Sequence, residues 1–432
     1  MKNQIKYIIF TVLSVLIFSC KTNKVTDNYK TNIPASNRQP VITKTVKTGI
    51  DMLQESDFAI LKDKKVGLVT NPTGVNRNLK STVDILFESP EVNLVALFAP
   101  EHGVRGDLPA GKQFNTIIDK KTGLSVFSLY GKNKIPTAEA MKMVDVIVYD
   151  IQDIGVRSYT FISTMGIIME TAADYGKEVL ILDRPNPLGG NRIEGSLVDS
   201  GFYSFVSRYN IPYIYGLTCG ELALLMNNEG LLKNGKQCNL QVVQMKNWKR
   251  NMTFGETGLQ WVPTSPHIPN WQTAYYYAAT GIIGELNSSM IGIGYTLPFQ
   301  VLAYENIDAD KLTKALNSLD LKGVIFRPVY FKPFYGNNKG KLLKGSQIHI
   351  TDYKSVNLTQ IQFLFLQETC KINSSFNVFT NNRKNKSFDL ACGSDKYRKL
   401  LTKYYSYDSI KDLWNKDIGK FKTLSEKYYL YN

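Results

Sequence analysis

The chain has 432 residues, of which 43% are hydrophobic and 12% aromatic, so it can form two or three domains with a substantial core. Its formal net charge of +15 indicates an anionic partner or environment, but no compact basic motif with interleaved aromatic residues points to nucleic acid. Three histidines and no CxxC pair argue against a three-histidine metal centre or a zinc site, so we predict neither a metal nor a cofactor.

The N-terminus resembles a lipoprotein signal peptide. Lys2 and Lys6 precede an apolar run at 7–18, and Ser19 stands directly before Cys20. The run is shorter than the ~20 residues of a spanning helix, so we predict a signal peptide over 1–20, cleavage after Ser19 and lipid on Cys20. The alternatives are a short uncleaved anchor and a cytosolic protein with an apolar start.

Residues 21–47 are rich in Lys, Thr, Asn and Ser and lack apolar periodicity, which predicts a flexible tether. No acidic residue follows Cys20 closely. We therefore expect an exported lipoprotein of the cell envelope, on the periplasmic face of a bacterial membrane.

Residues 48–262 alternate short apolar strands with amphipathic helices. Helix 81–89 is expected to bury Val83, Leu86 and Phe87. This alternation predicts parallel pairing, and hence an α/β, Rossmann-like open sheet. The predicted strands are 66–69, 93–98, 125–129, 145–149, 178–182 and 239–245, and the predicted helices are 81–89, 137–143, 161–175 and 218–228.

The pattern changes after a proline-punctuated crossover at 262–269. A helical start near Tyr275 is followed by a glycine-rich segment, strand-like stretches at 324–331 and 347–352, and helices rich in Tyr and Lys. Residues 263–432 are therefore predicted to form a smaller α+β domain.

Four polar loops follow predicted strands, at 71–74, 100–103, 150–153 and 183–187. Because the carboxyl ends of parallel strands meet at one edge of a sheet, the four loops should lie together, where ligands bind in open α/β folds. The sequence thus predicts a single site at this edge.

These loops carry acids suited to glycoside cleavage. Glu101, between Pro100 and Gly103, is a candidate general acid or base, and Asp150 and Asp153 are catalytic candidates beside it. Each acid could instead cap a helix or pair with an arginine, and the nearby arginines could grip a substrate carboxylate or only orient the acids. No G-x-S-x-G or G-x-G-x-x-G motif supports a serine hydrolase or a dinucleotide fold.

The loop sequences resemble the NamZ-type (YbbC-like) exo-β-N-acetylmuramidases, long known only as a domain of unknown function. The resemblance runs from about Gly49 to the C-terminus. Its most specific motifs are GLVTNPTG (67–74), FAPEHG (98–103), YDIQDIGVR (149–157) and DRPNP (183–187).

The resemblance implies a Rossmann-like catalytic domain, an auxiliary domain and a cleft between them. It implies release of N-acetylmuramic acid from the non-reducing end of peptide-free peptidoglycan fragments, with the catalytic glutamate at Glu101. Two departures from the family pattern, His267 and the segment 291–295, bear on specificity. The predicted substrate-binding residues are Asn71, His102, Arg105, Gln152, Arg157, Tyr159, Asp183, Arg184, Asn186 and Glu194.

Two other functions fit the same residues. A non-enzymatic envelope module would bind wall sugars without turnover, and a different glycosidase or an amidase would act on muropeptides. A muramic-acid-terminated disaccharide separates the three, because only the predicted enzyme releases the free sugar from it.

Overall fold

The computed structural model describes residues 45–101, 103–106 and 116–432. The predicted signal peptide, Cys20 and residues 21–44 of the predicted tether lie outside these residues. Residues 45–47, also assigned to the tether, belong to the folded protein: Val46 is fully buried and its amide donates to the carbonyl of Thr257 at 2.9 Å. Across the described ranges, no helix is both long and apolar enough to cross a membrane.

The first domain is built on a seven-stranded sheet of order β3-β4-β2-β1-β5-β6-β7, parallel except where β3 pairs antiparallel with β4. The predicted Rossmann-like fold is confirmed. β3 was not predicted, because its three residues are largely exposed and show no apolar pattern. The strands are β1 (Lys65–Thr70), β2 (Asn93–Ala99), β3 (Thr116–Ile118), β4 (Ser125–Ser128), β5 (Val146–Asp150), β6 (Glu178–Leu182) and β7 (Asn239–Val243).

The helices of this domain cover the sheet, and local hydrogen bonds fix where they begin. Thr218 caps α5, because its hydroxyl accepts from the amide of Glu221, whose carboxylate accepts from the Thr218 amide in return. Phe87, expected on the buried face of α2, is 42% exposed, so that expectation was wrong. The helices are α1 (Gly49–Glu55), α2 (Thr82–Glu88), α3 (Ala138–Met143), α4 (Phe161–Tyr175) and α5 (Cys219–Asn228).

The second domain combines a three-stranded antiparallel sheet of order β8-β10-β9 with helices, as the sequence predicts. The strands are β8 (Val301–Tyr304), β9 (Val324–Phe331) and β10 (Leu343–Ile350). The helices are α6 (Gln272–Gly284), α7 (Ala309–Asn317), α8 (Thr359–Ile372), α9 (Asn382–Cys392), α10 (Lys396–Tyr404), α11 (Asp408–Asn415) and α12 (Ile418–Ser425).

The C-terminal tail returns to the first domain. The Tyr431 hydroxyl donates to Asp183 at 2.6 Å, and the Leu430 amide donates to Glu221 at 2.9 Å. Phe421 of α12 packs into the core beneath the parallel sheet. The last residues of the chain therefore complete the α/β domain, which no local pattern in the sequence indicates.

Candidate active site

The four polar loops do meet at the carboxyl edge of the sheet, where hydrogen bonds join three of them and the fourth packs against its neighbour. The Gln152 amide donates to the Thr73 hydroxyl at 2.9 Å, and the Gln152 side chain donates to the carbonyl of Pro185 at 2.8 Å. A Cβ on Gly106 would lie 2.7 Å from the Pro72 ring, so the loop after β2 packs tightly on the loop after β1. The strand order reverses between β1 and β5, which places these loops at the switch point of the fold.

Asp150 lies at the centre of this edge and is fully buried. Its carboxylate accepts from Arg184 Nε at 2.5 Å and Nη2 at 2.9 Å, and from the Thr82 hydroxyl at 2.5 Å. A buried carboxylate held by a two-pronged arginine and a hydroxyl has no path to a substrate. This environment argues for a positioning role for both Asp150 and Arg184. Of the two roles considered for the arginines, it favours orienting the acid over gripping a substrate carboxylate.

Asp153 is also buried, and one of its oxygens accepts from the Tyr215 hydroxyl and from the Gly155 amide. The other oxygen, Oδ1, has no hydrogen-bond partner among the described residues. Burial raises the pKa of Asp153 to about 7, because the charged form loses its hydration. Asp153 is therefore largely protonated in the folded protein at mildly acidic pH.

This raised pKa has a consequence for stability. Between the unfolded value near 4 and the folded value, the folded carboxyl binds a proton that the unfolded one lacks, so stability falls as pH rises through this window. Asp153→Asn mimics the protonated acid, since its amide oxygen can accept from both Tyr215 and Gly155. We expect urea unfolding at about pH 5 and about pH 8 to show a smaller loss of stability in the variant than in the parent protein.

The same variant tests the catalytic assignment of Asp153. If Asp153 only shapes the edge of the sheet, Asp153→Asn keeps most of the activity. Loss of activity with unchanged unfolding curves would instead make Asp153 a direct participant, and an unchanged pH dependence of stability would contradict the raised pKa.

Three further predicted binding residues stabilise local structure. Asp183 accepts from Thr218, Gly220, Tyr431 and the Arg184 amide, and burial raises its pKa to about 6. Asn186 is buried and joins its loop to the carbonyl of Leu217 at 2.9 Å. Glu194 accepts the amides of Leu358 and Thr359 at the start of α8 and pairs with Arg192.

Arg157 does not face a cleft. Its guanidinium is buried and donates to four backbone carbonyls and one serine hydroxyl. Two of those carbonyls, Ala391 and Cys392, belong to the second domain. All of the donors that could bind a substrate carboxylate are therefore engaged, and Arg157 joins the domains instead.

Arg105 remains at the surface. It donates to Asp119 at 2.5 Å and 2.9 Å and to Asp84 at 3.1 Å. The hydrogen bond from Arg105 holds the pKa of Asp119 at about 2. Of the three predicted arginines, Arg105 has the most exposed side chain, but two carboxylates already hold it.

Glu101 differs from the other predicted acids because it is only half-buried. It follows β2, next to the loop of Asn71, whose side chain accepts from the amide and hydroxyl of Thr73. Burial, and then a hydrogen bond to the Glu101 carboxylate, raise the pKa of the Tyr130 phenol to about 12. Tyr130 comes directly after the predicted strand 125–129, so its position could have been inferred from the sequence. His102 lies outside the described residues.

The crossover between the domains forms a wall beside this edge. The Tyr159 hydroxyl donates to the Thr264 hydroxyl at 2.8 Å. Farther along the crossover, His267 Nε2 lies 2.6 Å from the hydroxyl of Tyr335, and the two rings stack. Tyr335 is half exposed and belongs to the second domain, so it was not predicted.

A small pocket of about 20 Å³, enough for about one water molecule, lies between the crossover and the switch point. Thr73, Arg77, Gln152, Arg184 and Trp261 are among its lining residues. Glu101 does not line it, but Thr73 follows Pro72, which contacts the loop of Glu101 through Gly106. The pocket and the half-buried acid therefore lie on neighbouring loops of the same edge.

The fold and the site define a two-domain α/β protein with a solvent-accessible carboxyl at the switch edge of its sheet. Residues 66–272 match the model of the N-terminal domain of exo-β-N-acetylmuramidase NamZ, and residues 275–431 match that of its C-terminal domain. The chain therefore belongs to the NamZ family, as its loop sequences indicate.

Its relatives agree over nearly the whole length. The peptidoglycan β-N-acetylmuramidase NamZ of Bacillus subtilis is 41% identical over 398 residues, which span 92% of this chain and 94% of that protein. Crystal structures of two DUF1343 family proteins of Bacteroides fragilis each cover 90% of this chain and 99% of their own. One is 52% identical with a TM-score of 0.86, and the other is 30% identical with a TM-score of 0.72.

Proposed function

We propose that this chain is an exo-β-N-acetylmuramidase that uses Glu101 as its general acid and base. The main support for this role is the exposure of the acids predicted at the sheet edge. Glu101 is half-buried, whereas Asp150, Asp153 and Asp183 are buried and hydrogen-bonded. The closely similar Bacillus subtilis relative, named as a peptidoglycan β-N-acetylmuramidase, supports the substrate class.

The chemistry follows from this position. Protonated Glu101 gives its proton to the glycosidic oxygen as the bond from that oxygen to the muramic acid C1 breaks. A water molecule then supplies the oxygen that C1 gains, and its proton returns to the Glu101 carboxylate. The Tyr130 phenol, hydrogen-bonded to that carboxylate, orients it towards the bond.

Basic groups near the site suit an acidic sugar. N-acetylmuramic acid carries a lactyl carboxylate, and Arg77 and Arg184 line the pocket beside the switch point. Arg184 is held by Asp150, so its charge is largely balanced, whereas the Arg77 guanidinium forms no ion pair in the described part of the chain and only its backbone amide donates to Asp51. We assign recognition of the lactyl group to the mouth of this pocket, with the exposed Arg77 as its cation.

The decisive experiment compares three glycans. The purified protein is incubated with a disaccharide that ends in N-acetylmuramic acid, a chromogenic glycoside of the same sugar, and a chain whose non-reducing end is N-acetylglucosamine. We expect free N-acetylmuramic acid from the first two and none from the third. Binding without release would favour an envelope-binding module, and cleavage of muropeptides only would favour a different hydrolase.

We also propose that the protein is exported and attached to a membrane through a lipid on Cys20. The apolar run and the Ser19-Cys20 junction support this proposal. In cells, Cys20→Ala should move the protein from the detergent-rich to the aqueous phase and leave the activity of the folded domains intact. Equal partitioning of the two forms would contradict a lipid anchor.

A further inference from the structure

A wide groove lies on the flank of the α/β domain, between α4, the segment after α5 and a loop around residue 204. It has a volume of about 660 Å³, within the roughly 300–1,000 Å³ of most small-molecule pockets. It is thus large enough for a chain of sugars. Basic and aromatic side chains dominate its lining: Lys134, Tyr203, Phe205, Arg208, Tyr209 and Lys233.

One carboxylate organises the walls of this groove. Glu170, buried in α4, accepts from Arg208 at 2.6 Å, from the Tyr209 hydroxyl at 3.1 Å and from the Lys233 backbone amide at 3.0 Å. Gly166 lets Tyr209 cross the helix, since a Cβ there would lie 1.9 Å from the phenol oxygen. Among the lining residues that the structure describes, Glu170 is the only acid, and these three hydrogen bonds already engage it.

Its remaining charges are positive. The Lys134 ammonium lies 4.3 Å from the centre of the Phe205 ring, and neither Lys134 nor Lys233 forms an ion pair with any residue of the described ranges. Tyr203 is 51% exposed beside them. Exposed aromatic faces next to unbalanced cations suit a ligand made of apolar sugar faces and spaced carboxylates.

One loop, the loop that follows β4, reaches both the groove and the candidate active site. Lys134 lies four residues after Tyr130, on the loop that follows β4, and Tyr130 is hydrogen-bonded to Glu101. An exo-acting enzyme binds one terminal sugar at the reacting carboxyl, and the rest of its glycan must leave along the surface. The loop after β4 contacts Glu101 through Tyr130 and lines the groove through Lys134, so the glycan can follow this loop from the acid into the groove.

We propose that the groove binds the reducing-end part of the same glycan, with sugar rings on Tyr203 and Phe205 and muramoyl carboxylates at Lys134 and Lys233. This inference rests on the proposed muramidase activity and extends it: the groove makes the enzyme act better on glycan strands of several sugars than on disaccharides.

The test compares a disaccharide with a hexasaccharide, both ending in N-acetylmuramic acid, on the full chain. For Tyr203→Ala and Lys134→Gln, we expect kcat/KM on the hexasaccharide to fall about three- to tenfold through KM, in line with the energy of one aromatic or cation contact. The disaccharide values should stay within about twofold. Tyr404→Ala is the matched control, since Tyr404 is 53% exposed and carries its own lysine contact, Lys403, at 4.9 Å.

The outcomes are distinguishable. If the parent protein cleaves both glycans equally well, or if the groove variants lose the same activity on both, the groove inference is overturned while the muramidase activity stands. If the parent protein releases no sugar from the disaccharide or the hexasaccharide, the proposed function itself fails, and the groove inference fails with it.

Discussion

Glu101→Gln is expected to lower kcat on the disaccharide by about 10²–10⁴-fold, because glutamine cannot supply a proton to the leaving oxygen. The fold should persist, since Glu101 is half-buried and a glutamine of the same shape can still accept the Tyr130 hydroxyl. The measurement is the initial rate of N-acetylmuramic acid release, with thermal unfolding as the check on folding.

The leaving group separates an acid from a merely structural carboxylate. In an aryl glycoside of an acidic phenol, the phenolate leaves without being protonated. Glu101→Gln should therefore slow cleavage of the glycosidic bond much less in this substrate than in the disaccharide. Equal losses on the two substrates would show that Glu101 acts in another way, as a nucleophile or a binding group.

Glu91→Gln provides the matched control. Glu91 is exposed at the opposite end of the sheet, just before β2, and should leave both rates unchanged. If Glu101→Gln retains more than a few per cent of the disaccharide activity, Glu101 is not the general acid.

The order of strands and helices in the first domain follows from local patterns. The run 178–182 is fully apolar after Glu178 and forms the buried strand β6. The capping box of Thr218 and Glu221 marks the start of α5 in the sequence. Short exposed elements carry no such signal, which is why β3 was missed. The return of Tyr431 to Asp183 joins residues 248 apart, and a contact so distant in sequence leaves no periodic trace.

The candidate site shows a sharper limit. A strand-loop pattern places a polar residue at the sheet edge but does not say whether its side chain points into the domain or out of it. Asp150 and Glu101 both follow buried strands, yet one is enclosed by Arg184 and Thr82 and the other is half-buried. Burial depends on side chains that other segments of the same domain bring in, here Arg184 and Thr82, which the loop sequence does not contain.

The buried polar residues have a shared task. Burying charge is costly unless it is paired or hydrogen-bonded, and here three of the buried charged groups join segments distant in sequence. Asp183 joins the C-terminal tail to β6, Glu194 begins α8, and Arg157 holds α9. The motif residues of the family therefore divide into those that shape the edge and those that face the solvent.

Arg157→Met gives the second large expected effect, on stability. The arginine donates to the carbonyls of Ser196 and Ile211 at 2.7 Å and 2.6 Å, and to those of Ala391 and Cys392 at 3.1 Å and 2.9 Å. Methionine fills similar volume but leaves these buried acceptors unpaired. We expect a loss of about 3–5 kcal/mol in the free energy of unfolding by urea, because each hydrogen bond lost by a buried acceptor costs about 1 kcal/mol.

Arg105→Met is the matched control, because it removes the same group from a partly exposed pair with Asp84 and Asp119. Surface ion pairs contribute about 0–1 kcal/mol, so its effect on unfolding should be small. Hydrogen exchange adds a second measure: in Arg157→Met, amides of α9 should exchange faster than those of β1, because the domain contact is lost first. A raised KM with unchanged stability and exchange would instead place Arg157 on the substrate.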